Sequence, residues 1–267
     1  MSFAKDFNPL KGKPPKEVPL KNAPLIRVIA QVRFPVIAAT QKDEFIAPFQ
    51  EAIRPHYPIL RPERIRNLIL GPQGQSEGPP AVVWRFSDLT AGWRVSLGRD
   101  FLAIETTSYE SREDFFGRFR FVAEALEEHV NPRVMDRLGV RYIDRVVGKE
   151  VEKIASMLRP EICGVASTVL RGSASQVLSE ALFSTPEGAS LRARWGLIPA
   201  KGTTDPSAIE PVDDVSWILD LDMFSNESGP LESGKLLEDA RSYAERIYAF
   251  FRWAVNDKFI ETYGGTK

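Results

Sequence analysis

Apolar and polar residues alternate along several short stretches of the chain, as they do in β-strands that bury one face. The first stretch runs from Leu25 to Phe34, where every second residue from Ile26 onward is apolar. Further strands are predicted at 81–86, 93–97, 101–107, 138–146, 176–183, 191–197 and 217–222.

Helical spacing replaces this alternation in two longer stretches. Between Phe115 and Leu126 the apolar residues recur three and four positions apart, and Ser111 with Asp114 three residues later is typical of a helix start. A second stripe runs from Leu236 to Ala254, and aromatic residues crowd its later half. Shorter helices are predicted at 45–53 and 151–158.

The order of these elements is repeated along the chain. Residues 25–130 have the pattern β-α-β-β-β-α, and the remainder has almost the same pattern without detectable sequence identity. We therefore expect an α+β protein with two pseudo-repeated β-α-β-β-β-α halves. The sheet should be mainly antiparallel, with the long helices packed on one face as in helix-grip or saddle-like folds.

Three segments are predicted. Residues 1–22 form a flexible basic tail, because they contain five lysines and several prolines. Residues 23–130 form the first half and residues 131–267 the second. Each half is small for an independent domain, so we expect the two to share a core.

Composition narrows the classes of function. The 267 residues are 43% apolar and 27% charged, which is ordinary for a globular protein. No stretch has the ~20 apolar residues of a membrane span, and the N-terminus does not resemble a secretion signal. A single cysteine, Cys163, excludes an internal disulfide, so a cytoplasmic location is expected. The net charge of −1 disfavours nucleic-acid binding.

No catalytic motif is recognisable in the sequence. It has no glycine-rich phosphate loop, dinucleotide-binding fingerprint, zinc-binding helix or nucleophile elbow. His56 and His129 are expected to be structural or exposed, and Cys163 to be a small buried residue. We predict no cofactor and no metal, and the absence of a catalytic motif disfavours an enzyme without excluding one.

Charged residues within the predicted strands are the candidate binding residues. They are Arg33, Arg85, Glu105, Arg141, Arg192 and Arg194. Several arginines on one sheet face would suit an anionic ligand, because guanidinium groups bind phosphate or carboxylate with two hydrogen bonds. The alternative is that they form ordinary ion pairs with acids on neighbouring strands. Asp220 and Asp222 share a face and would suit a divalent ion.

Three segments resemble a known protein family. Leu102–Phe115 (LAIETTSYESREDF), Arg137–Val146 (RLGVRYIDRV) and Tyr248–Asp257 (YAFFRWAVND) look like hallmark segments of a sporadically distributed prokaryotic family of about this length and of unknown function. The resemblance implies a prokaryotic cytosolic accessory protein, of the kind encoded in mobile or defence-type loci. It implies no catalytic residues.

Two functional hypotheses follow. The first is a non-catalytic binding or regulatory protein that acts through a partner protein or as a homo-oligomer. The alternative is a pocket protein or enzyme that acts on a phosphorylated or nucleotide-like anionic small molecule through the strand arginines. Nucleic acid and membrane are disfavoured as partners.

Overall fold

A nine-stranded antiparallel sheet with helices packed against it forms the core, so the predicted α+β class is confirmed. The structure, a computed structural model, describes residues 7–65, 68–71, 74–77 and 81–265. The strand order of the sheet is β10-β11-β12-β9-β1-β7-β6-β5-β2. The strands are β1 (Leu25–Arg33), β2 (Ile59–Ile65), β3 (Leu68–Gly71), β4 (Gly74–Glu77), β5 (Ala81–Ser87), β6 (Trp93–Leu97), β7 (Phe101–Thr106), β8 (Val134–Met135), β9 (Arg137–Val147), β10 (Val177–Ser184), β11 (Ser190–Ile198), β12 (Ser216–Ser225) and β13 (Gly229–Pro230).

Six α-helices are present in the described part of the chain. They are α1 (Asp43–Ile53), α2 (Arg112–His129), α3 (Lys149–Lys153), α4 (Pro160–Cys163), α5 (Ser233–Ala254) and α6 (Asp257–Thr262). The predicted cap of α2 is confirmed, because the Asp114 N–H donates a hydrogen bond to Ser111 Oγ at 3.1 Å.

The sequence pattern missed some elements. No strand was predicted between residues 54 and 80, where β2 lies. This strand contains Pro62 and three charged residues and therefore lacks apolar alternation. Proline is tolerated there because β2 is an edge strand, whose outward N–H groups need no partner in the sheet. Helix α6 was also missed, because it follows directly after the end predicted for α5.

The chain divides into two compact units. In the described chain, unit 1 comprises residues 7–28, 140–225 and 242–265. One face of its strands is apolar and buried, as Leu191 and Leu221 illustrate. The later part of α5 contributes Phe250 to this core, and its ring lies 5.7 Å from that of Phe183 on β10.

Unit 2 comprises residues 29–139 and 226–241 in the described chain. Its helices α1 and α2 pack on the apolar strand face. The ring of Phe49 on α1 lies 5.7 Å from that of Phe86 on β5, and the ring of Phe115 on α2 lies 5.7 Å from that of Trp93 on β6. Side chains alternate across a strand, so the neighbours of these buried residues point to the face opposite α1 and α2.

The N-terminal segment lies along the later part of α5. The Val18 N–H donates a hydrogen bond to Tyr248 Oη at 2.7 Å. Arg246 Nη1 donates to the carbonyl oxygens of Pro9 and Gly12 at 3.0 and 2.8 Å. These bonds define the path of the segment within unit 1. The predicted flexibility of residues 1–22, of which 1–6 lie outside the described residues, stays a prediction.

Candidate functional site

The six predicted binding residues are divided equally between the two units. Arg33, Arg85 and Glu105 belong to unit 2, on β1, β5 and β7. Arg141, on β9, and Arg192 and Arg194, on β11, belong to unit 1. Of these six, Arg141 and Arg194 share a partner, which is the buried Asp220 on β12.

Asp220 is the centre of a charged network on the polar face of unit 1. Arg141 donates from Nε and Nη2 to the two carboxylate oxygens at 2.7 and 2.8 Å. Arg194 Nη2 approaches Asp220 Oδ2 at 2.8 Å. The strand register accounts for this contact, because Arg194 lies directly opposite Asp220 in the β11–β12 ladder. The side chain of Asp220 is only 1% exposed, so its charge depends on these arginines.

The network continues in both directions. Glu180 lies opposite Arg194 in the β10–β11 ladder, with 3.7 Å between its Oε2 and Arg194 Nε. Arg141 Nη1 donates to Asp205, in the loop before β12, at 2.8 Å. Burial would lower the pKa of Arg141, but hydrogen bonds and charge from Asp220 and Asp205 outweigh burial and raise it. Three acids therefore surround two arginines, and this "Asp220 network" has no positive surplus to attract an anion.

Arg192 lies apart from the Asp220 network, although it is on the same strand face. It is exposed, its register partner is Asp222, and its guanidinium carbon lies 5.6 Å from the centroid of the Phe224 ring. A divalent ion held by Asp220 and Asp222 would need at least one further side-chain ligand. Among the described residues, no group of three or more His, Cys, Asp or Glu side chains is placed to hold a metal.

Two of the unit 2 candidates form ion pairs across neighbouring strands. Arg85 Nε lies 2.9 Å from Glu63 on β2, and its Nη1 donates to Ser96 Oγ on β6 at 2.7 Å. Glu105 forms an ion pair with Arg94, its register partner on β6. These contacts match the alternative left open by the sequence, in which strand charges pair with each other.

The remaining unit 2 candidate, Arg33, lines a pocket of about 460 Å³ on the sheet face opposite α1 and α2. The pocket is bounded by residues of β1, β2 and β5 and by the turn between β6 and β7. That turn contributes Arg99 and Asp100, which were not among the predicted residues because they lie outside the predicted strands. Arg33 Nη2 donates to Asp100 Oδ2 at 3.0 Å.

Asp144 on β9 is a buried acid that was not among the candidates. It is 7% exposed, and burial raises the pKa of its carboxyl group from 3.8 to about 7. Its burial could have been predicted from the alternation of side chains along β9, because Leu138, Val140 and Val146 lie on the same face and are all buried. Cys163 is buried as expected, and burial raises the pKa of its thiol.

The two edges of the sheet differ in character. Edge strand β2 has Arg61, Pro62 and Glu63 at its centre. Edge strand β10 has the sequence VLSEALFS, with one charged residue and no proline. Its outward-facing side chains include Leu178 and Leu182, which are 42% and 63% exposed. Among the described strands, β10 pairs only with β11.

Comparison of the chain with protein-family models and with curated proteins gives no match. The resemblance to a sporadically distributed prokaryotic family therefore stays a prediction. In the described part of the chain, no helix has the length and hydrophobicity required to cross a bilayer.

Proposed function

We propose that this protein is a non-catalytic binding protein that acts through a partner protein, and that the partner adds a β-strand to β10. The observation that carries the proposal is the unprotected edge of β10. An edge strand presents unpaired N–H and C=O groups, and natural proteins usually block it with proline, lysine or a short strand length. Edge strand β2 has proline and charges, whereas the eight-residue β10 has neither proline nor lysine.

The side chains of β10 indicate what the added strand requires. Leu178 and Leu182 are exposed on either side of Glu180, whose side chain is 54% exposed. In strand addition, main-chain hydrogen bonds supply affinity and alternate side chains supply specificity. The partner segment that pairs with β10 is therefore extended. It has apolar residues on either side of a lysine or arginine, which lies opposite Glu180.

Affinity purification from the native host with a matched set of variants tests this proposal. Leu178→Lys combined with Leu182→Lys places two charges on the open edge and should abolish recovery of the partner. Val169→Lys is the control, because Val169 is 97% exposed in the same unit but lies outside the strand. Equal recovery with both variants, or the absence of a stoichiometric partner with the unmodified protein, contradicts the proposal.

Hydrogen exchange then locates the contact. Binding should slow amide exchange at alternate residues of 177–184, because the outward N–H groups of an edge strand alternate. If the recovered species is a dimer of this chain and the double variant is monomeric, the added strand is β10 of a second copy. Protection confined to other strands contradicts strand addition at β10.

We also propose that the two halves of the chain arose by duplication. The strand orders β1-β7-β6-β5 and β9-β12-β11-β10 support this origin, as do the long helices α2 and α5 that follow β7 and β12 along the chain. A superposition of residues 25–130 on residues 137–260 should then align β7 with β12. Alignment of β7 with any other strand contradicts the duplication.

A further inference from the structure

The pocket in unit 2 lies on the sheet face opposite α1 and α2, and part of its lining is apolar. Val83 and Ile65 come from neighbouring strands, and Phe101 closes one side. Gly98 allows this arrangement, because a Cβ atom there would lie 2.3 Å from Cε1 of the Phe101 ring. Gln31 adds an amide that can donate and accept hydrogen bonds.

The charged rim of the pocket is held in place by the backbone. The turn between β6 and β7 is fixed by the Phe34 N–H, which donates to the Asp100 carbonyl at 3.0 Å, and by the Ile37 N–H, which donates to the Arg99 carbonyl at 2.8 Å. The Asp100 carboxylate is occupied by Arg33. Among the residues that the structure describes, Arg99 has no acidic partner. The rim therefore has two guanidinium groups and one carboxylate, which leaves a positive surplus.

We propose that this pocket binds a small organic anion, with its carboxylate or phosphate between Arg33 and Arg99 and its apolar body against Val83 and Phe101. The volume of about 460 Å³ suits a small molecule. An arginine that has no acidic partner among the described residues can complete a two-armed anion clamp beside an ion-paired arginine at little cost, because Asp100 already orients the first arm. This site differs from the Asp220 network, where acids outnumber arginines.

Isothermal titration calorimetry with four simple probes tests the proposal. Benzoate and phenyl phosphate combine charge with an apolar ring, benzyl alcohol lacks the charge, and inorganic phosphate lacks the ring. At least one of the two ring anions should bind at least about tenfold more tightly than both control probes. Preference for benzoate identifies a carboxylate site, and preference for phenyl phosphate identifies a phosphate-ester site.

Substitutions connect the binding to the pocket. Arg99→Gln should weaken binding of the preferred anion at least about tenfold, and Arg33→Gln should weaken it further because it also frees Asp100 to repel the anion. Arg120→Gln, an exposed substitution on α2 in the same unit, should leave binding unchanged. Unchanged melting temperatures exclude unfolding as the cause. The proposal is overturned if neither anion binds at about 10 mM, if benzyl alcohol binds equally well, or if Arg99→Gln has no effect.

Discussion

Asp144 and Asp220 are both buried carboxylates in unit 1, yet their contacts differ. Asp220 receives hydrogen bonds from Arg141 and an ion pair from Arg194. Burial alone determines the protonation of Asp144 and raises its pKa to about 7. Two buried acids on strands of one sheet therefore have different surroundings: arginines contact Asp220, whereas burial sets the pKa of Asp144.

Asp144 should make stability depend on pH. Its pKa is about 7 in the folded state and near 3.8 when exposed, so between these values the folded protein holds a proton that the unfolded chain has lost. The free energy of unfolding then falls as pH rises through this window. Asp144→Asn should remove this slope and raise the free energy of unfolding near pH 8 by about 4 kcal/mol relative to the unmodified protein.

Urea denaturation between about pH 5 and pH 8 measures this effect. Asp205→Asn is a useful contrast: burial raises the pKa of Asp205, but bonds from Ser207 and Arg141 outweigh it and lower the value. That substitution should not flatten the slope in this range. An equal slope in Asp144→Asn and the unmodified protein would show that the carboxyl group is not buried.

Asp220 should be essential to stability for a different reason. Asp220→Asn keeps the size of the side chain but removes the charge on which two partly buried arginines converge. Loss of one partner from a buried ionic network costs about 3–5 kcal/mol. The exposed Asp213→Asn, in the same unit, should change the free energy of unfolding by less than about 0.5 kcal/mol. Comparable losses in both variants would contradict a central role for Asp220.

At the level of elements, the alternation of apolar residues was sufficient to locate most strands of the large sheet. Strand β2 lacks this alternation because it is an edge strand with a proline at its centre. The sheet face to which the candidate arginines point was also predictable, because side chains alternate between the two faces along a strand. Two of their partners, Glu63 and Asp205, were not predictable, because they lie in segments without a sequence signal.

Helix α5 depends on its aromatic residues. The Phe251 ring is 9% exposed, with ring centroids 5.7 Å from Phe259 and 6.1 Å from Tyr248. Phe251→Ala should lower the free energy of unfolding by about 3–5 kcal/mol, because the emptied site leaves a cavity. The exposed Glu245→Ala on the same helix is the control. A Phe251→Ala variant with an unchanged melting temperature would mean that the ring does not contribute to the core.

For the whole molecule, the sequence predicted the class of fold but not how the strands join. Local periodicity contains no information about which strand pairs with which over a long separation in sequence. The single sheet of nine strands, with β1 between β7 and β9, is set by such distant pairings. The location of the pocket follows from the same pairings, since its lining comes from several strands and a turn.

The net charge of −1 gives a prediction for the whole chain. Non-specific duplex binding depends on a surplus of lysine and arginine that displaces counterions from phosphates. Fluorescence anisotropy with a labelled DNA duplex at about 150 mM salt should detect no binding tighter than about 100 µM. Tighter binding that weakens as salt is added would contradict this prediction and make nucleic acid a candidate partner.

The position of β1 has a consequence for the time course of synthesis. Strand β1 is synthesised before both of its neighbours in the sheet, β7 and β9. The first residue of β9 follows the last residue of β1 by roughly a hundred residues, which takes roughly 5–20 s at about 5–20 residues per second. During that interval the edge of β1 that later pairs with β9 has no partner strand, and β1 has an apolar face. The nascent chain therefore exposes an unpaired strand with an apolar face for seconds. During this time a chaperone or a second nascent chain competes with β9 for β1.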